Sequence, residues 1–191
     1  MRANEALAVQ GECCRLVPYC PHHVPAYHEW MQDPAILEAT ASEPLTLEQE
    51  FAMCKSWRED EDKCTFIVEV DGAPVGDVNL FLNDPDDSTA AEIEVMVAVA
   101  GMRRKGVAAE ALSMLQTWAA GRLGLRTFRA KVGQANAPSL ALFRKLGYAL
   151  VSSSAVFAEV GPSIPLRFPV FTASDSPARR TRLNSVRLMT V

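Results

Sequence analysis

The 191-residue chain predicts an α/β domain of three layers, a central mixed, mostly antiparallel β-sheet flanked by helices. Three observations predict it. Cys64–Val70 and Val75–Leu82 are apolar runs joined across Asp71-Gly72, a strong short-turn signal, and read as a β-hairpin. In Glu92–Val97 the residues Ile93, Val95 and Val97 alternate with Glu92, Glu94 and Met96, the period of a strand. That strand turns through Gly101 into Arg103-Arg-Lys-Gly106. From Ala108 the period changes, with Ala108, Leu112, Leu115 and Trp118/Ala119 spaced three and four apart, as on a helix.

The remaining elements fall around these. Glu12–Tyr19 reads as a first strand, ended by Pro18 and Pro21. His23–Met31 reads as a short helix, and Ala35–Ala39 as another after the turn at Asp33-Pro34. Thr46 with Gln49 is a capping-box signature, opening a helix to about Arg58. Asn83–Thr89 is a polar loop before the central strand. The central helix ends near Gly121/Gly124, and Thr127–Val132 is the next strand. Pro138 sits in the first turn of a helix running to Gly147, followed by a strand over Tyr148–Val156. Residues 1–160 are read as the domain. Residues 161–191 are read as a divergent basic tail containing Pro, Ser and Arg, without regular structure.

Composition narrows the function classes. The length fits one domain that needs neither disulfide nor metal to build a core. No run approaches the roughly 20 apolar residues of a membrane span, and the first residues lack the apolar core of a secretory signal. A cytoplasmic chain without membrane contact is expected. The five cysteines, Cys13, Cys14, Cys20, Cys54 and Cys64, are odd in number and contain no C-x-x-C pair, so they read as reduced thiols. Cys20, His22 and His23 lie near Cys13 and Cys14, but the spacing matches no structural zinc pattern, and no metal is expected. Net charge is −4, split into +4 over residues 160–191 and −8 over residues 1–159. An acidic domain offers no basic face for nucleic acid.

Strand, basic glycine turn and helix together make a site for phosphate. The turn's amides and the helix N-terminus point at an anion, nearby cations add attraction, and Gly106 lets backbone come close. The spacing Arg103-x-x-Gly106-x-Ala108 resembles the acetyl-CoA pyrophosphate loop of the GNAT N-acetyltransferase superfamily. Downstream, Asn136-Ala-Pro-Ser139-Leu-Ala-Leu-Phe143-Arg-Lys-Leu-Gly147-Tyr148 resembles the same superfamily's second motif helix. The two occur in the superfamily's order, about thirty residues apart, with a strand pattern between them. Within the superfamily, His28–Met31, Ala41–Glu50, Asp62–Val68, Val75–Leu82 and Glu92–Met96 are similar to the N-acetyltransferase 9 family, whose proposed acceptors are the N-termini of α- and β-tubulin. The similarity spans roughly residues 1–160. Past Glu159 the chain does not resemble that family's closing strands, and the loop between Val68 and Val75 is short.

What the resemblance implies is specific. A GNAT-type fold is expected, with acetyl-CoA as co-substrate. Arg103, Arg104, Lys105, Gly106, Val107 and Ala108 would cradle the pyrophosphate. Backbone groups of Val97, Ala98 and Val99 would align the acetyl carbonyl and the pantetheine arm. Asn136 would face the cleft, or serve only as a turn residue before Pro138. Ser139 and Phe143 would line the pantetheine channel, with plain core as the other reading of Phe143. Attack of a neutral amine on a thioester needs a base and a proton for the departing thiolate. Glu92 and Glu94 share a strand face and are the candidate bases, or else solvent-facing or paired carboxylates. Phe143 stands where the superfamily usually has a Tyr as thiolate donor, and Phe carries no proton to give. Tyr27, His28, Trp30 and Glu43 are candidate acceptor contacts or packing residues.

The expected function is acetyl-CoA-dependent N-acetyl transfer to a protein N-terminal α-amino group, by resemblance that of tubulin, directly within a ternary complex. The alternatives are a catalytically weak acetyltransferase-fold protein that binds a microtubule or other protein partner, and an acetyltransferase for another amine.

Overall fold

A computed structural model describes residues 2–150, 163–167 and 187–190. The elements are β1 (Leu7–Gln10), β2 (Arg15–Pro18), α1 (Val24–Trp30), α2 (Pro34–Thr40), α3 (Leu47–Glu59), β3 (Lys63–Val70), β4 (Ala73–Phe81), β5 (Ala90–Val97), α4 (Val107–Arg122), β6 (Thr127–Gly133), α5 (Ala137–Lys145), β7 (Ala149–Leu150), β8 (Ser163–Arg167) and β9 (Arg187–Thr190). They form a mixed sheet with strand order β7-β8-β6-β5-β4-β3-β2-β1-β9.

Local chemistry sets the element ends. In the β3–β4 hairpin, Asp71 and Gly72 take φ of 52° and 77°, the pair of positive values a two-residue primed turn requires. At α3 the Thr46 hydroxyl accepts from the Gln49 amide while the Gln49 side chain accepts from the Thr46 amide, the reciprocal cap expected of that pair. Asp33 caps α2 through the Ala35 amide, with Pro34 in the first turn, where a missing N–H costs nothing.

The two faces of the sheet bury different sets. On one, Phe66, Val68, Ile93, Val95 and Val97 pack with α4, and Phe66 meets Trp118 edge-on at 5.2 Å. On the other, Val17, Ile67 and Met96 pack with Tyr27, Ile36 and Cys54 of α1, α2 and α3 and with Met31 just past α1. Each large side chain so buried contributes about 1.5–3 kcal/mol, so the three layers are held by apolar burial on both faces.

Two findings differ from the sequence reading. A strand, β1, precedes the one expected at Glu12–Tyr19, because Leu7–Gln10 pairs with β2 rather than continuing an irregular N-terminus. Within 161–191, expected to lack elements, β8 pairs with β6 and β7, and β9 pairs with β1 at the sheet edge. Their apolar content, Ile164 with Leu166 and Leu188 with Met189, is too short to stand out as a period. Their partners lie far away in sequence. The strand expected to continue to Val156 is described only as Ala149–Leu150, and the rest lies outside the described residues.

Candidate active site

The sheet opens beside the end of β5. Among the described residues its pairings are antiparallel except β5 with β6, which run parallel and pair only over Ala90–Glu92 and Thr127–Arg129. Among the described residues, β5 from Ile93 to Val97 is laddered to β4 alone, while β6 from Ala130 to Gly133 is laddered to β8. A gap between two parallel strands is therefore left at their C-terminal ends.

The backbone at the gap is arranged by a bulge. The amides of Ala98 and Val99 both donate to the carbonyl of Val75, at 2.9 and 3.2 Å. Since Val97 sits opposite Gly76 between such bonds, the alternation of an antiparallel ladder turns its own N–H away from β4, towards the gap. Gly76 is required here: a Cβ on it would lie 2.0 Å from the Met96 carbonyl oxygen. Arg103 then braces the strand end, its Nε donating to the Val97 carbonyl (2.9 Å) and its guanidinium also reaching the Ala98 carbonyl (3.1 Å).

The turn Arg103–Gly106 leads into α4. Arg104 and Gly106 have φ of 63° and 91°, so the backbone curls through left-handed conformations before the helix. Among the described residues, the amides of Arg104 to Ala109 have no acceptor; the first helical bond runs from the Glu110 amide to the Gly106 carbonyl at 3.0 Å. Arg104, Lys105 and Gly106 are exposed, whereas the Val107 side chain is buried. Only the backbone of Val107 can therefore meet a ligand. A curl of free amides, two exposed cations and a helix N-terminus fit a polyphosphate.

The polar face of the sheet, towards α1 and α3, carries the two carboxylates. Glu92 pairs with Lys131 of β6 at 2.8 Å. Glu94 sits opposite Asn79, and among the described residues it is paired with no Lys or Arg. Its side chain is exposed to solvent, with the rest of the sheet face crowding it from one side. Loss of hydration, reinforced by Glu92 and Asp77, pushes its pKa up to about 7. Behind it runs a buried chain. Asp77, fully enclosed, accepts from Tyr27 (3.3 Å) and Asn79 (2.9 Å), and Asn79 accepts from Thr65 (2.7 Å). Burial holds the Asp77 carboxyl above its usual range. Lys63 lies over the rings of Trp57 (3.3 Å) and Phe81 (4.6 Å), and burial lowers its pKa to about 8.

The second motif is largely taken up by packing. The Asn136 side chain caps α5, accepting from the Ser139 amide at 3.1 Å. Ser139 is half-buried, and Phe143 is buried edge-on against Tyr148 at 4.8 Å. Tyr148 is itself buried and bonded to Gln116 at 2.8 Å. Of the candidate acceptor contacts, Tyr27 is buried on Asp77, His28 and Trp30 are half-buried, and Glu43 is exposed.

This arrangement matches known proteins along most of its length. The Acetyltransferase (GNAT) domain family matches residues 14–149. An N-acetyltransferase 9-like protein of Nematostella vectensis is 48% identical over 172 residues, covering 84% of this chain and 86% of its own. The chain belongs to the GNAT acetyltransferases, in the N-acetyltransferase 9 family. The human relative, named alpha/beta-tubulin-N-acetyltransferase 9, is 47% identical over 173 residues, 84% of each chain. Among solved structures, Mycobacterium smegmatis RimJ in complex with CoA-disulfide shares the fold, with a TM-score of 0.72 at 21% identity over 95% of this chain and 94% of that one.

In this acetyltransferase the structure adds groups that sequence reading passed over. Asp77 lies in the expected hairpin strand Val75–Leu82 and Lys63 just before the other, Cys64–Val70, both inside the family-like segments, and the sequence assigns neither a role at the site. The signal available was a polar residue at an inward position of an otherwise apolar strand, at Asp77 and Asn79. Near α4, Cys13, Cys14 and Glu110 form a cluster of three potential metal ligands, different from the Cys20, His22 and His23 group considered from sequence. Burial and Glu110 push the Cys13 thiol up to about 11, and Glu110 already accepts four hydrogen bonds. Among the described residues, no helix is long and apolar enough to cross a membrane.

Proposed function

We propose that the chain uses acetyl-CoA to acetylate a protein N-terminal α-amino group, with the N-termini of α- and β-tubulin as the acceptors that its relatives' names indicate. The observation that supports this most is the unbonded amide curl Arg104–Ala109 at the end of a strand whose outer edge is open. The curl suits a pyrophosphate, and the open edge of β5 suits the amide-bearing pantetheine arm as an added strand. The Val97 N–H, aimed into the gap, is suited to hydrogen-bond the thioester oxygen as negative charge develops there. The ammonium of the acceptor must lose a proton before or during attack. Glu94, ionised about half the time near neutrality, is the base we assign, acting directly or through water. Glu92, paired with Lys131, shapes the charge around it. The leaving thiolate takes its proton from water, since Phe143 has none and the Tyr148 hydroxyl is buried against Gln116.

The test is release of CoA thiol in the presence of α- and β-tubulin N-terminal peptides, with mass analysis of the product. The reading expects acetyl on the peptide α-amine. Thiol release no faster with the peptides than without them would remove the tubulin assignment. A second reading, partner binding by a weak catalyst, is favoured by Phe143 in place of a proton donor. It expects partner capture with no acetylated product. Transfer to a different amine expects turnover with other acceptors instead.

A further inference from the structure

One contact outside the reaction centre is built more tightly than packing alone needs. Glu110 is the fourth residue of α4 and directly follows the amide curl. Its carboxylate is enclosed by the turn between β1 and β2. Oε1 accepts from the Glu12 amide at 2.7 Å, and Oε2 accepts from the amides of Cys13 (2.9 Å) and Cys14 (2.8 Å) and from the Cys13 thiol (3.0 Å). The turn is closed by the Gly11 amide on the Cys14 carbonyl at 2.9 Å. Gly11 leaves the space the carboxylate occupies: a Cβ there would lie 2.6 Å from Glu110 Cδ and Oε2 and 2.8 Å from Met114 Sδ. A Glu side chain could ordinarily swing aside, but this one is pinned by four donors.

The same residue holds the curl from its other end, because the Glu110 amide donates to the Gly106 carbonyl. Glu110 therefore bridges the left-handed Gly106 and a turn of the sheet nearly a hundred residues earlier. The electrostatics need this bridge. A bare carboxylate in the first turn of α4 suits the helix dipole but repels a pyrophosphate bound at the same end. Against the loss of hydration, the Cys13 side chain and the Glu12 and Cys13 amides hold the carboxyl below its usual range, so it stays ionised and its field is spent on the β1–β2 turn.

We infer that Glu110 is a positioning residue for the pyrophosphate: it clamps the first turn of α4 to the β1–β2 turn so that the amides of Arg104–Ala109 converge on one point. This rests on acetyl-CoA being the co-substrate. The pyrophosphate is the group that reads the clamp, which separates it from a general stabilising contact.

The experiment compares acetyl-CoA with S-acetylpantetheine, the same thioester without the pyrophosphate, in the native chain and in Glu110→Gln, Glu110→Ala and Gly11→Ala, with thermal unfolding of each recorded. The expected result is a rise of about tenfold in the acetyl-CoA Kd and KM of the three variants, with kcat at saturation and the KM for S-acetylpantetheine moving by less than about twofold. Adding Gly11→Ala to Glu110→Ala is expected to raise the acetyl-CoA Kd by less than Gly11→Ala does alone, since the two share the Glu110 contact, while the remaining contact with Met114 lowers the unfolding temperature. Variants that keep native acetyl-CoA affinity, or that lose both donors equally, overturn the inference while leaving acetyl-CoA use standing. A native chain that binds no acetyl-CoA overturns acetyl-CoA use and the clamp with it.

Discussion

Glu92 and Glu94 share one face of β5, yet their neighbours separate them. Lys131 neutralises Glu92, while at the solvent-exposed Glu94 the crowding of protein on one side, with Glu92 and Asp77 near it, raises the pKa to about 7. A base must be deprotonated, so the rate is expected to rise with pH through about 7. Glu94→Gln is expected to abolish that limb and to slow turnover on the order of 100-fold, with Glu92→Gln slower by less. A Glu94→Gln enzyme with native rate and native pH profile would remove the assignment. That both residues face one side was legible from the strand period. Which of them is free was not, because Lys131 reaches Glu92 from another strand. His23 is a second residue whose protonation is set by position. Burial, with His22 beside it, lowers its pKa to about 4, and its Nδ1 accepts from the Cys20 amide at 3.1 Å. Its folded pKa lies below the unfolded value of about 6.5, so the unfolded state binds more protons between the two. Stability is therefore full above about pH 6.5 and falls towards pH 4, by about 1–3 kcal/mol from this residue. Denaturant midpoints across that range should show the slope, and His23→Asn should flatten it.

At the scale of elements, the local signals were good where the chemistry is local. The Thr46–Gln49 cap, the Asp71-Gly72 turn and the change of period after Gly106 each predicted an element that is present. The second motif was less transparent, since Asn136 and Phe143 have side chains that serve a cleft or a core equally well. Here a cap and an edge-on ring contact take them up. Gly76 was silent in the sequence, because its role depends on a bulge whose other half is on β5. Its substitution gives a clear expectation. In Gly76→Ala the new Cβ would meet rigid backbone at 2.0 Å, forcing β4 and β5 apart where Val97 is aimed. Thermal unfolding should show a loss of about 3 kcal/mol or more, with activity abolished. A fully stable and active Gly76→Ala protein would contradict the described β4–β5 pairing.

Over the whole molecule, the layer order and central strand–turn–helix unit were legible, since they rest on periods and glycine positions within short windows. The outer strands were not. β1, β8 and β9 are of four or five residues, and each has a partner distant in the chain, β9 for β1 and β6 for β8. Reading residues 161–191 as lacking elements followed from that brevity. The architecture has a functional consequence that no single element contains: among the described residues the sheet is antiparallel but for β5–β6, and it leaves an opening where a basic curl of free amides begins a helix. The central claim is that this opening receives acetyl-CoA. Calorimetric titration of acetyl-CoA into the native chain and into Gly106→Glu tests it most directly. At φ of 91° the substitution strains one residue, meets no atom within 4 Å, and sets a carboxylate beside the pyrophosphate site. The account predicts binding by the native chain and none by a folded Gly106→Glu protein. A native chain that does not bind, or a variant that binds as well, would contradict it.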